Sequence, residues 1–465
     1  MRQFAAFARL FMATEAFYER MKRLLGDEYG EFCTALSRDA RRGFRINRAK
    51  WQADSEQLLP TYEYEPLPYV EDGYLLSGST DGIGNTPEHH AGAIYVQDPG
   101  AMATAAALDI EPDWAICDLC AAPGGKTTQL AARLHGGWLL SNEYVPKRAK
   151  ILVGNVERMG LSCVTVTSMD TAALAAMYDS VFDLVVADAP CSGEGMLRKN
   201  VPAEEEWSPE AVLQCAARQA EILDNAAGMV KAGGRLLYST CTWSLEENEM
   251  AVDAFLDRHP EYRLIPVKDG LIPYTRPGIR YSEGARAELT YTRRFYPHVA
   301  EGEGQYIALM ERTDAPKARF GYKDSLGRLT QGEDAAVKAL FLDTIGKIPE
   351  GRVGKYGENI VFIEHGYPLP SRGVFSAGVL IGELRGRTLV PSHQFYSVFG
   401  KEFLRRVELS TPDEADRYLA GHQIPAECEN GFAAVSYLGA TLGGGKVSLG
   451  VLNNHYPKGL RKNIN

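Results

Sequence analysis

Two hydrophobic rhythms alternate along this chain. Residues 13–37 repeat apolar positions at helical spacing, with mixed charges between them. Residues 52–90 lose the rhythm, and Pro60, Pro66, Pro68, Pro87 and several glycines break them into loops. From about residue 94, short apolar runs alternate with helical stretches. "WAICDLC" (114–120) predicts a buried strand and "GGKTTQLAARLH" a helix. "WLLSNE" predicts a strand, and "PKRAKILVGNVERMG" a helix with proline near its start and glycine at its end. "CVTVTSMD" and "FDLVVADAP" predict two more strands. "SPEAVLQCAARQAEILDNAAGMVKAGG" predicts a long helix capped by Ser208, with Pro209 in its first turn and Gly233 as its stop. "RLLYSTC" then reads as a strand and "LEENEMAVDAFLDRH" as a helix. This βαβα order implies an α/β fold, a parallel sheet with helices on both faces.

The alternation stops after about residue 313. "RTDAPKARFGYKDS" (312–325) reads as a linker, 330–395 as a small α/β segment, and 402–465 as short strands. Four regions are expected: a helical N-terminal region 1–93, an α/β domain 94–313, an intermediate α/β segment 314–400, and a terminal module 401–465. A chain of 465 residues exceeds one ordinary domain, which agrees. No apolar run approaches the ~20 residues of a membrane helix, so no membrane role is expected. The opening "MRQFAAFARLFMATEAF" is interrupted by Arg2, Arg9 and Glu15 and lacks the apolar core of a signal peptide. Met12 is a second candidate start.

Composition adds little to this picture, but charge and cysteine usage do. Net charge is −10, so any nucleic-acid role must rest on local basic patches. One stands at 38–50, "RDARRGFRINRAK", with six Lys/Arg against one Asp. Charge runs are more often solvated helix faces and loops. Eight cysteines scattered over the chain make no disulfide framework and suit a reducing cytoplasm. Cys117 and Cys120 resemble half of a zinc or redox site, yet no second pair stands at ligand spacing. No metal is expected.

The chemistry gathers at the strand ends, where a doubly wound sheet binds its ligands. Successive ends carry "DLCAAPGGKT", then Glu143, Asp170, "DAPCSG" and "STC". The glycine turn is not a P-loop, because Cys120 occupies the required glycine position, and no G-x-G-x-x-G is present. Glu143 follows Gly124 by roughly the ~20 residues at which an acid meets a ribose. Asp170 could accept from an adenine amino group. An adenosine cofactor without polyphosphate fits: S-adenosylmethionine. The alternative is a purely structural glycine turn.

Cys191 and Cys241 stand just beyond two strand ends, among polar residues. Carbon 6 of a pyrimidine is an electrophile. A thiolate adding there makes carbon 5 a nucleophile able to take a methyl group. The thiol needs a positive surrounding to ionise, and the ring needs an acid at N3 and the exocyclic amine. Asp188 stands three residues from Cys191, with Pro190 between. One cysteine as nucleophile and the other assisting release explains the pair. The bland reading, buried small hydrophobes, suits Cys163 and Cys215 better.

"DLCAAPGGKT", "DAPCSGEGMLRK", "YSTCTWSLEENE" and "RRFYPHVAEGEGQYIA" closely resemble the Sun/Nop family of RNA cytosine-C5 methyltransferases. The likeness runs from about Phe44 to 312. "VFSAGVLIGELRGRTLVPSHQF" and the terminal "GVLNNHYPKGLRKN" resemble its bacterial RsmF branch. The resemblance implies a Rossmann-like class I methyltransferase core, an N-terminal RNA-binding extension and a C-terminal PUA-like module. It implies Cys241 as nucleophile and Cys191 in product release. It implies cofactor contacts from Cys120, Ala121, Ala122, Pro123, Gly124, Gly125 and Lys126, and from Glu143, Asp170 and Asp188, with Asp188 also facing the cytosine. Glu143 departs from the commoner aspartate. The implied partner is RNA, in this branch small-subunit ribosomal RNA. Its phosphates would meet a groove lined by the 38–50 patch, Arg198-Lys199, Arg293-Arg294 and Lys458, Arg461 and Lys462. A DNA cytosine methyltransferase is disfavoured by the "STC" cysteine. A non-catalytic assembly factor is disfavoured by the presence of both Cys241 and Asp188.

Overall fold

The computed structural model describes residues 15–52, 58–198 and 207–462, so Met12 and Lys199 lie outside the described residues. The first helical stretch folds as α1 (Glu15–Leu25) and α2 (Tyr29–Leu36), broken at Gly26, whose φ is +54°. Their apolar faces, Phe17, Met21 and Phe32, pack against Trp207, Trp243 and Tyr296. Strands β1 (Gly43–Ile46), β2 (Glu63–Pro66), β3 (Gly73–Ser77) and β4 (Ile94–Gln97) form an antiparallel sheet in the order β2-β3-β1-β4. Every residue of β1 is buried, which a four-residue strand covered on both faces requires.

The βαβα pattern folds as read. After helix α3 (Pro99–Ala106) come β5 (Ala115–Asp118), α4 (Gly125–Ala131), β6 (Trp138–Asn142), α5 (Pro146–Met159) and β7 (Val164–Thr167). Next come α6 (Thr171–Ala175), β8 (Phe182–Asp188), α7 (Pro209–Ala227), β9 (Val230–Thr240) and α8 (Glu249–Arg258). Strands β10 (Tyr262–Ile265), β11 (Arg293–Phe295) and β12 (Gln305–Arg312) follow. The five strands β7-β6-β5-β8-β9 are parallel, and β12 joins β9 antiparallel. Apolar residues cover both faces: Ile116, Leu139 and Leu237 on one, Cys117, Leu140 and Tyr238 on the other. Strand order reverses beside β5, so the carboxyl ends of β5 and β8 flank a crevice.

Two details differ from the sequence reading. Ser208 does cap α7, its hydroxyl accepting from Ala211 N at 3.1 Å, but the helix ends at Ala227 rather than at Gly233. Gly233, with φ +67°, sits inside β9, where the register slips between Val230 and Arg235. A bulge needs the same left-handed glycine as a helix stop, so the two look alike in sequence. The expected linker is not free either. Arg319–Phe320 pairs antiparallel with Tyr178–Asp179, and Gly321 N donates to Met177 O.

The rest of the chain wraps back. Helix α9 (Gln331–Ile345) carries a full capping box, Thr330 with Glu333. Strands β13 (Arg352–Tyr356), β14 (Asn359–Ile363), β15 (Val374–Ala377), β16 (Val379–Arg385) and β17 (Thr388–Pro391) follow. Four of them form a sheet in the order β13-β14-β16-β17. The fifth, β15, leaves it and extends the large sheet antiparallel to β7. Helix α10 (His393–Phe399) leads into the terminal module, built of β18 (Arg406–Leu409), α11 (Pro412–Leu419), β19 (Gly431–Tyr437), β20 (Ala440–Ser448) and β21 (Val451–Asn454). Its core is shared: Val407, Tyr418 and Val435 pack with Phe44, Ile46 and Trp51 of the N-terminal region. Among the described residues no helix is long and apolar enough to cross a membrane.

Candidate active site

The parallel ladder of β8 and β9 ends with Asp188 opposite Ser239. The chain then turns on both strands, and the turns carry the two thiols. Cys191 Sγ lies 3.0 Å from Cys241 Sγ, and Cys241 N donates to Cys191 Sγ at 3.3 Å. Both are free and partly exposed. The hydrogen bond with Cys241, followed by burial, pushes the Cys191 thiol well up. Either sulfur can donate in this contact. Cys163 is buried in the core, as its apolar setting suggests.

Asp188 is held from three sides. Lys126 Nζ donates to Oδ2 at 2.6 Å, Ser239 Oγ to Oδ1 at 2.6 Å, and Gln305 Nε2 reaches Oδ1 at 3.5 Å. Lys126 itself is buried, while Asp188 keeps part of its side chain open. The glycine turn after β5 thus meets the cysteine turn after β8 through one ion pair.

That turn, Cys120 to Lys126, crosses the carboxyl end of β5. Gly124 has φ +110°, and a Cβ there would lie 3.0 Å from Leu152 Cδ1, so glycine suits the position. Ala121 and Ala122 are buried behind it. Asp118, at the end of β5, is fully buried; its Oδ2 accepts from Thr127 Oγ1 at 2.7 Å, and its Oδ1 makes no hydrogen bond. Burial pushes its carboxyl up to about 7. Burial likewise raises the Cys120 thiol. Glu143, just past β6, is also buried. Its Oε1 accepts from Val145 N at 2.9 Å; its Oε2 lies 3.3 Å from Arg148 but makes no hydrogen bond. Asp170 is exposed and caps α6, accepting from Ala172 N and Ala173 N. The acids expected at successive strand ends thus stand along one rim.

The expected basic groove is largely not one. Arg45 is buried, donating to Gln97 Oε1, Gly125 O and Thr128 Oγ1. Lys50 is buried against Ser397, 2.9 Å from its Oγ. Arg294 forms a buried ion pair with Glu249. Arg198 pairs with Glu303 at 3.0 Å and donates to Gly302 O. Arg48 pairs with Asp72, and Lys462 with Asp416. These cations hold the fold together. A charge run does not reveal which members have buried partners, because the partners are distant in sequence. Arg38, Arg42 and Lys458 stay exposed.

The structure also shows residues that sequence reasoning passed over. Glu194 and Glu247 are buried beside the thiols, and Ser239 and Gln305 hold Asp188. Their signal was an acid within each glycine- or serine-bearing turn, "SGEGM" and "SLEENE".

Residues 105–311 match the family of 16S rRNA methyltransferase RsmB/F. Residues 14–99 match the N-terminal domain of 16S rRNA methyltransferase RsmF, and 405–462 the methyltransferase RsmF PUA domain. The ribosomal RNA small subunit methyltransferase F of Klebsiella pneumoniae (strain 342) is 32% identical over 470 residues, 96% of each chain. The chain belongs to the RsmB/F family of 16S rRNA methyltransferases. The RsmF resemblance read from the motifs is thereby borne out, as are the methyltransferase core and the PUA module. A second RsmF relative, from Escherichia coli O1:K1 / APEC, is 35% identical over 328 residues, 66% of each chain. A methyltransferase homolog protein from Pyrococcus horikoshii shares 26% identity with a TM-score of 0.56, covering 67% of this chain and 98% of that one.

Proposed function

We propose that this chain transfers the methyl group of S-adenosylmethionine to carbon 5 of a cytosine in 16S rRNA, in the cytoplasm, through a covalent adduct with Cys241. One observation carries this reading: two free thiols 3.0 Å apart, at the rim where Lys126 grips Asp188. The cofactor site is tested by its own atoms. Asp118 Oδ1 and Glu143 Oε2 are buried acceptors without hydrogen bonds beside a glycine turn. A ligand with hydroxyls and an ammonium group suits them, since buried acceptors without donors are costly. In this reading the residues from Cys120 to Lys126, with Glu143, Asp170 and Asp188, hold the cofactor.

S-adenosylmethionine supplies an electrophilic methyl group. The chain's residues do the rest. The Cys241 thiolate adds to carbon 6, and the ring's double-bond electrons move to carbon 5. Asp188 accepts from the exocyclic amine, and the Lys126 cation beside it opposes the negative charge that develops at N3. With the cofactor bound, carbon 5 would take the methyl group as the methyl–sulfonium bond breaks and its electrons stay on sulfur, so that S-adenosylhomocysteine is the leaving group. A base then removes the carbon-5 proton, the freed electrons rebuild the carbon 5–carbon 6 double bond, the carbon 6–sulfur bond breaks with its electrons returning to Cys241, and 5-methylcytosine leaves; in this reading Cys191 assists that release. The hydrogen bond with Cys241, followed by burial, pushes the Cys191 thiol up; in this reading Cys241 is the sulfur that adds to carbon 6. A target cytosine in a stem is swung out of the stack to reach the rim. The exposed cations and the PUA module engage the surrounding RNA.

The test is transfer of labelled methyl groups to 16S rRNA, to assembled small subunits and to DNA. Label in 5-methylcytosine of either RNA substrate supports the reading. Label in DNA alone, or in no substrate, overturns it.

A further inference from the structure

We propose that Glu194 and Glu247 are positioning residues that keep the two thiols in register. Each is carried by the turn of one cysteine and grips the turn of the other. The purpose of this clamp rests on the cysteine chemistry proposed above, whereas its geometry rests on hydrogen bonds.

Glu194 lies three residues beyond Cys191. Its Oε2 accepts from Thr242 Oγ1 and Trp243 N, each at 2.9 Å, directly after Cys241. Its Oε1 accepts from Trp207 Nε1 at 3.1 Å. Glu247 lies six residues beyond Cys241. Its Oε2 accepts from Ser192 N at 2.9 Å, and its Oε1 from Ser192 Oγ at 2.5 Å, directly after Cys191. Gln219 of α7 donates to the same carboxylate at 2.8 Å and to Pro190 O at 3.0 Å. Gly195 N donates to Cys241 O at 2.8 Å. A Cβ on Gly195 would sit 2.8 Å from that oxygen, so the close approach needs glycine.

The parallel ladder stops at Asp188 and Ser239, so nothing regular sets the sulfur separation beyond it. Both carboxylates are buried, and burial raises both carboxyl groups. Burying acids is a weak device for stability, because apolar packing does as well. Fully bonded buried acids are a good device for fixing one geometry. Glu247 also faces Cys191 electrostatically and helps hold its proton.

The experiment uses the full chain with Glu194→Ala, Glu247→Ala and the neutral isosteres Glu194→Gln and Glu247→Gln. Two readouts are taken: kcat and cofactor KM for methyl transfer, and the pH profile of iodoacetamide alkylation at Cys191 and Cys241 by mass spectrometry. The alanine variants are expected to lose about tenfold or more in kcat, since a misplacement of about 1 Å costs up to about a hundredfold. Cofactor KM should stay within about twofold, and the glutamine variants should recover part of the loss. In both Glu247 variants the alkylation midpoint of Cys191 should move to lower pH. An unchanged kcat and alkylation profile overturns the proposal. So does a kcat loss that only follows a rise in cofactor KM and a fall in melting temperature. Should an alanine variant fail to fold, the glutamine variant decides by the same criteria. Should the wild type methylate no RNA, the cytosine reading fails, and the alkylation profile alone still decides the clamp.

Discussion

Lys126 Nζ stands 2.6 Å from Asp188 Oδ2 and so ties the glycine turn after β5 to the cysteine turn after β8. The lysine is the cation of this rim that is both buried and committed to Asp188. Replacing it by methionine preserves the stem and removes the charge. Asp188 would keep Ser239 and Gln305 as donors. A hydrogen bond to a charged group contributes about 1.5–3 kcal/mol. Lys126→Met should therefore lower kcat/KM by about 10- to 100-fold. Steady-state methyl transfer to 16S rRNA checks this, and unchanged turnover would remove Lys126 from the machinery.

The two thiols should fail differently. Cys241→Ala should abolish methyl transfer while cofactor binding survives, since it removes the sulfur that adds to carbon 6. Cys191→Ala should allow addition and transfer but slow release, leaving RNA attached to the protein. A shifted band on a denaturing gel, resistant to heat and detergent, reads this out. The opposite pattern, an adduct with Cys241→Ala and none with Cys191→Ala, would reverse the two assignments.

Much of this site was legible because it is local. Each strand of the parallel sheet ends on its chemical group or is followed by it within a few residues, as Glu143, Asp170, Asp188 and Cys241 show. Their convergence then follows from the parallel topology alone. What was hidden depends on distant partners. Arg45 looked like a phosphate ligand, yet it supports Gly125 O from eighty residues away. Arg294 looked exposed beside Arg293, yet it meets Glu249 in the core. Strand β15 carries no local sign that it will join β7 rather than its own neighbours. Gly233 satisfied a helix stop and a β-bulge equally, and only the register of β9 on β8 separates them.

Acid should loosen the junction between the N-terminal region and the terminal module. His393 is partly buried there, edge-on to the Tyr456 ring. Burial, with the charges of Lys50 and His90, pulls it from 6.5 down to about 4. A lowered base favours the neutral folded form. Between about pH 6.5 and 4 the unfolded chain takes up a proton that the folded chain refuses. Stability thus falls as pH drops through this window, by up to roughly 3 kcal/mol. Lys50, pulled down to about 7, has the same sign but acts only above that pH. His393→Gln should lose less of its melting temperature between pH 7 and 4.5 than the wild type. Parallel losses would mean that His393 does not carry the effect.

The PUA module is not a detachable RNA-binding appendage. Its Val407, Tyr418 and Val435 complete a core with Phe44, Ile46 and Trp51. Deleting it would expose that core and confound RNA binding with unfolding. Single surface charges avoid the problem. Lys458 lies on the terminal module and Arg42 at the start of the N-terminal sheet, and both are exposed. If each meets one phosphate, its reversal to glutamate should weaken binding to all RNA sequences alike. The slope of log affinity against log salt should shrink by about one per contact. Cofactor binding and melting temperature should not change, because neither side chain is buried. Filter binding of 16S rRNA at several salt concentrations measures the slope. An unaltered slope for Lys458→Glu with a reduced one for Arg42→Glu would confine the RNA track to the N-terminal region. The reverse result would assign it to the module.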